Sequence, residues 1–136
     1  MIDLTSFKNV VNSLNEIIKL YNVDKTNLIL RDCLLERFVF TYTQTITMIK
    51  RHLASNYDDI ENVKELTFKD MIRVANIKGL LKGDVENWTK YKENRNISAR
   101  TYNEVNAEKV ATMIVNDFAL EINFLLNKLI ETNDKS

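Results

Sequence analysis

Leu30-Arg31-Asp32-Cys33-Leu34-Leu35-Glu36-Arg37-Phe38-Val39-Phe40-Thr41-Tyr42-Thr43-Gln44-Thr45-Ile46-Thr47-Met48-Ile49-Lys50-Arg51-His52-Leu53 is the stretch that decides the fold. Within it Leu30, Leu34, Phe38, Tyr42, Ile46, Ile49 and Leu53 recur at four, four, four, four, three and four residues, the spacing of one helix face. A helix of roughly 27 residues rising ~1.5 Å per residue reaches about 40 Å and sets the length of whatever packs along it. Leu35, Val39, Phe40 and Met48 widen its apolar surface beyond one stripe. That width predicts a central helix, touched on more than one side or by another subunit.

On the N-terminal side, Leu4, Phe7, Val10, Val11, Leu14, Ile17, Ile18 and Tyr21 recur at helical steps, and a polar connection, Asn22 to Asn27, follows. On the C-terminal side, Ala54 to Leu66 carries five charged residues and is expected to be an exposed connection and the most flexible part. Thr67 and Asp70 resemble a capping box for a short helix bearing Phe68, Met71, Ile72 and Ala75, which Gly79 should stop. Asp84 is placed to cap another helix, on which Trp88, Tyr91 and Arg95 share a face. The chain should turn near Arg100 to Tyr102. Asn103 can then cap a last helix carrying Ala107, Val110, Ile114, Phe118, Ile122, Leu125 and Leu129, and the tail Glu131 to Ser136 should fray. The expected fold is all-α: an antiparallel, up-and-down four-helix-type bundle with an additional short helix, forming a single domain over residues 1–136.

Composition agrees with helices, because a chain of 136 residues with no proline and two glycines has little with which to punctuate turns. Nineteen basic and nineteen acidic residues cancel, which removes the general attraction for nucleic acid that a basic domain displays. Cys33 is the sole cysteine, so neither an intrachain disulfide nor a cysteine metal cluster can form, and a reducing cytoplasm is expected. Neither a signal peptide nor a membrane span is expected from the apolar runs.

Several chemistries fall away on residue type. A di-iron bundle needs Glu-x-x-His pairs, and the only histidine is His52, expected as a surface or partly packed residue, so no metal site is assigned. A nucleophile triad lacks its base. Gly79-Leu80-Leu81-Lys82-Gly83 lacks the Gly-Lys-Ser/Thr ending of a phosphate loop, and no cofactor is expected.

The run Trp88-Thr89-Lys90-Tyr91-Lys92-Glu93-Asn94-Arg95-Asn96-Ile97-Ser98-Ala99-Arg100-Thr101-Tyr102 gathers aromatic and cationic groups at one helix end. With Phe68-Lys69-Asp70-Met71-Ile72-Arg73, it resembles the nucleotidyltransferase substrate-binding protein family, a branch of the HEPN superfamily of helical bundles, over most of the chain. The family pattern is Arg-Asn-x-x-x-His-x-Tyr on one helix and Arg-Phe-Glu-x-x-aromatic-Glu on the second. Arg95, Asn96 and Tyr102 match the first, with Arg100 at the histidine position; Arg37, Phe38 and Tyr42 match the second, with Val39 and Thr43 at the glutamate positions.

The resemblance implies a homodimer that accompanies a separately encoded nucleotidyltransferase and helps hold its nucleotide or phosphorylated substrate, the chemistry residing in the partner. It implies Arg95, Asn96, Arg100 and Tyr102 as the substrate- or phosphate-binding residues, Tyr102 as the candidate nucleotidyl acceptor, and no catalytic residue. Two arginines can grip phosphate by charge-assisted, bidentate bonds, and Tyr102 and Trp88 could stack. The plainer alternative is that Trp88 and Tyr91 fill the core while Arg95 pairs with an acidic neighbour. In toxin relatives arginine and histidine form a metal-independent RNase site. Here Arg100 cannot act as base, since a guanidinium with pKa above ~12 stays protonated and has no acceptor. The competing functions are therefore such an RNase toxin, held in check by its partner, and an orphan structural or regulatory dimer whose site has decayed.

Overall fold

The computed structural model describes residues 1–59, 62–100 and 103–135, apart from the side chains of residues 99 and 100. Its α-helices are α1 (Thr5–Val23), α2 (Leu28–Asn56), α3 (Phe68–Ile77), α4 (Val85–Arg100), α5 (Glu104–Met113) and α6 (Ala119–Asp134). A π turn at Ile114–Phe118 joins α5 to α6, so the last two form one rod. The architecture is the expected antiparallel four-helix-type bundle, with α3 as the additional short helix, and no strand occurs among the described residues.

Helix starts follow their caps. The Asn27 side chain accepts from the Ile29 and Leu30 amides, Thr67 from the Asp70 amide, and Asn103 from the Val105 and Asn106 amides. Asp84 and Asn87 cap reciprocally, each side chain accepting from the other's amide at 3.0 and 3.1 Å. At the end of α3, Gly79 takes φ +81°, and the Gly79 and Leu80 amides donate back to Asn76 and Ala75 carbonyls, the geometry of a Schellman close.

The central role expected of α2 holds: it touches α1, α3, α4 and α5. Leu34, Phe38, Ile49 and Leu53 on its inner face are fully buried. Thr41 and Thr45, also fully buried, are satisfied by donating to the Arg37 and Thr41 carbonyls one turn back. An aromatic chain crosses the core, with Trp88 edge-on to Tyr91, Tyr91 to Phe118, and Phe118 to Phe38 at a ring separation of 4.8 Å. The Glu104–Asp134 rod is long and apolar enough to cross a membrane by length and composition only. Its apolar face is spent inside the bundle, where Val110, Ile114, Phe118, Ile122, Leu125 and Leu129 are buried.

Three local expectations change. The Glu131 tail does not fray at its start: α6 runs to Asp134, and the Asn133 amide both donates to the Ile2 carbonyl and accepts from its N–H. The connection after α2 is exposed as expected except at Val63, which is buried, and Lys78 lies over the Tyr57 ring while pairing with Asp59; residues 60 and 61 lie outside the described residues. His52 is a core residue, 3% exposed and edge-on to Tyr57. Its position at a helix end suggested surface, but Tyr57 and the returning segment cover it.

Burial lowers the pKa of His52 below 6.5, so the unfolded chain binds the proton first. The stability contributed by neutral His52 is therefore complete above about pH 6.5 and is lost as pH falls toward the lower native value. In urea titrations between about pH 7 and pH 5, His52→Gln is expected to flatten this part of the stability profile; an unchanged slope would exclude His52 as its source.

Candidate functional site

The stripe Trp88, Tyr91, Arg95, Ser98 runs along one face of α4 and changes character halfway. Trp88 and Tyr91 are buried at 0% and 4% exposure, whereas Arg95 and Ser98 are half-buried. Trp88 is thus core and unavailable for stacking, which settles that residue in favour of the plainer alternative. Its indole N–H donates 2.9 Å to Glu121, a carboxylate 2% exposed that also accepts from the Lys82 and Gly83 amides at 2.9 and 2.6 Å. This junction fixes the N-terminal half of α4 against α6. Burial pushes the Tyr91 hydroxyl up to about 12, with Glu121, Asp117 and Asp84 adding to the effect.

Where the stripe turns polar, a groove of about 790 Å³ opens between α1, α2 and α4, with Ser98 on its rim. Its apolar surface comes from Val10, Leu35, Val39 and Phe40, the last 60% exposed. Arg37 and Thr41 also line it, but Arg37 donates to the Ser13 carbonyl at 2.8 Å and so ties α2 to α1. The glutamate-to-Val39 and glutamate-to-Thr43 replacements leave this face without carboxylates at those two positions. Thr43 instead donates to the Val39 carbonyl.

Arg95 Nη1 donates to Asn96 Oδ1 at 3.3 Å, while its buried Nε has no hydrogen-bond partner among the described residues. No described acidic side chain pairs with it, against the alternative that it is an ordinary salt-bridge residue. Tyr42 on α2 feels it: burial raises the Tyr42 hydroxyl to about 12 and the Arg95 charge acts in the opposite direction. The structure thus brings Arg95 and Asn96 together on α4 near α2. Arg100 ends α4, and its side chain, like all of Tyr102, lies outside the described residues. Among those described, no group of histidine, cysteine and carboxylate side chains is arranged to hold a metal.

Two charged residues escaped the sequence reading, Glu121 and Arg31. Arg31 is 0% exposed and reaches from α2 to α5, its Nη1 donating to Glu104 at 2.8 Å and to Glu108 at 3.1 Å, while Nη2 donates to Asp32 at 3.2 Å. Charged residues on amphipathic helices are read as solvated, and only the tertiary partners reveal otherwise.

The bundle, with α4 laid against α2, is of the kind that the resemblance to the HEPN superfamily implies. The chain belongs to the family described as nucleotidyltransferase substrate binding protein like, whose model matches residues 2–131. A solved Haemophilus influenzae structure, described as revealing the fold of a substrate binding domain of a nucleotidyltransferase, shares 29% identity with it at a TM-score of 0.82, covering 93% of this chain and 98% of that one. A curated relative from the same organism, named probable ribonuclease HepT, is 34% identical over 99 residues, 73% of this chain. The match spans 66% of that relative, just under two thirds of its length.

Proposed function

We propose that the chain is the non-catalytic, substrate-binding subunit of a two-component nucleotidyltransferase, acting in the cytoplasm as one folded unit beside a separately encoded enzyme. Arg95 grips a phosphate of the nucleotide or phosphorylated substrate, assisted by Asn96, with Arg100 and Tyr102 completing the site and Tyr102 the candidate acceptor of a nucleotidyl group. The observation that carries this is the buried Arg95 Nε without a partner among the described residues. A guanidinium held in the fold with a donor unspent is disfavoured unless an anion completes it. The apolar groove beside it, with Phe40 exposed, suits a second copy of the chain and supports the homodimer.

Titration of the purified chain with inorganic pyrophosphate by calorimetry tests the reading. Arg95→Ala is expected to weaken binding about tenfold or more. Its melting temperature should stay within about 2 °C, because a half-buried side chain with an unmet donor contributes little to folding. Equal affinity in the two proteins would remove Arg95 from the site. Co-purification with a nucleotidyltransferase subunit co-expressed from the same genome tests the partnership; separate elution of the two counts against it.

The relative named as a probable ribonuclease favours a second reading, an RNase toxin neutralised by the partner. The chemistry weighs against it: a metal-independent RNase needs a proton acceptor, His52 is sealed beneath Tyr57, and position 100 holds a guanidinium. RNA turnover by the purified chain that disappears in Arg95→Ala would reverse this preference.

A further inference from the structure

We propose that the Tyr42 hydroxyl is a second donor of the Arg95 anion site, so that the phosphate is held between α2 and α4 and not by α4 alone; this rests on the site reading above. Phe38 lies one turn before Tyr42 on α2, with ring centroids 6.4 Å apart, and Tyr91 lies one turn before Arg95 on α4. Phe118 presents edges to both Phe38 and Tyr91, so the stripe that carries Tyr42 and the stripe that carries Arg95 face each other where α2 meets α4.

Both side chains carry an unspent donor. Tyr42 is 6% exposed, and its hydroxyl makes no hydrogen bond among the described residues; Arg95 Nε is buried and equally without a partner among them. A buried phenol ordinarily finds an acceptor. The guanidinium cannot be that acceptor because it offers donors alone, whereas the oxygens of a phosphate can satisfy both groups at once. Burial raises the Tyr42 hydroxyl to about 12 against the pull of the Arg95 charge, so the proton that a donor needs stays in place at neutral pH. Tyr91 supplies the contrast. It too is buried, without a hydrogen bond from its hydroxyl among the described residues, and raised to about 12, but after burial the causes are the carboxylates Glu121, Asp117 and Asp84, a setting that repels an anion.

Calorimetric titration of the full chain with inorganic pyrophosphate tests this. Tyr42→Phe should weaken binding about tenfold or more, while its melting temperature stays within about 2 °C of the wild type because the hydroxyl has no protein partner to lose. Tyr91→Phe, the same change at a tyrosine equally buried, should bind as the wild type does. In the wild type the Tyr42 Cζ resonance should move when pyrophosphate is added and the Tyr91 resonance should not, a signature that a purely structural role would not give. Wild-type affinity in Tyr42→Phe, with Arg95→Ala weakened, overturns the role of Tyr42 and leaves Arg95 in the site. An unmoved Tyr42 resonance overturns it as well. An equal loss in Tyr91→Phe would trace the effect to the core and also overturn it. A wild-type chain that binds no pyrophosphate removes the Arg95 site and this proposal together.

Discussion

Replacing Glu121 with alanine is expected to cost on the order of 3–6 kcal/mol, because it leaves one buried and two part-buried donors without their acceptor at about 1–3 kcal/mol each, the part-buried pair toward the lower end. Those donors are the Lys82 and Gly83 amides and the Trp88 indole N–H, all within 2.9 Å of the carboxylate. Set against a total stability of about 5–15 kcal/mol, the loss is large, and a fall in melting temperature of about 10–20 °C follows. Gly83→Ala approaches the same junction from the other side. A methyl there would lie 2.5 Å from a Glu121 oxygen and 3.0 Å from Asn87 Cβ, so about 2 kcal/mol or more should be lost as the carboxylate is pushed off its donors. Urea unfolding followed by Trp88 fluorescence reads both; a loss below about 1 kcal/mol for Glu121→Ala would mean that water can replace the carboxylate.

Phe118→Ala is the second large effect, at about 3–5 kcal/mol. Phe118 is fully buried in the π turn and presents edges to both Phe38 and Tyr91, so truncation opens a cavity shared by three helices and also loses two aromatic contacts. Leu120→Ala, two positions on and 60% exposed, should stay within about 0.5 kcal/mol. Denaturant midpoints for the pair check the contrast. Similar small losses in both would place Phe118 outside the cooperative core.

The helices and most of their starts were legible because their signals are local. Thr67, Asp84 and Asn103 cap through atoms two or three residues away, and Gly79 ends α3 through its own backbone. The π turn was not legible, since apolar steps of three and four from Ala107 to Leu129 are what an unbroken α-helix also shows. Arg31, His52 and Glu121 were misjudged or missed for one physical reason. Each is a polar residue on a helix, and each is buried by a partner 5 to 77 residues away that the helical spacing of apolar residues does not encode. In the candidate site, the Arg95-Asn96 pair was visible as a cationic run beyond two aromatics. That the aromatics belong to the core, while Arg95 is only half-buried and Ser98 reaches the groove, emerged from packing.

The two hydrogen bonds between the Ile2 backbone and the Asn133 side chain bring positions separated by nearly the whole sequence side by side. A chain whose extremities meet is close to a closed loop in space, and the order of helices around that loop has no privileged beginning. A short peptide joining the ends would leave every helix neighbour in place, and a cut at the Asp24–Asn27 bend would then yield the same bundle with α2 leading.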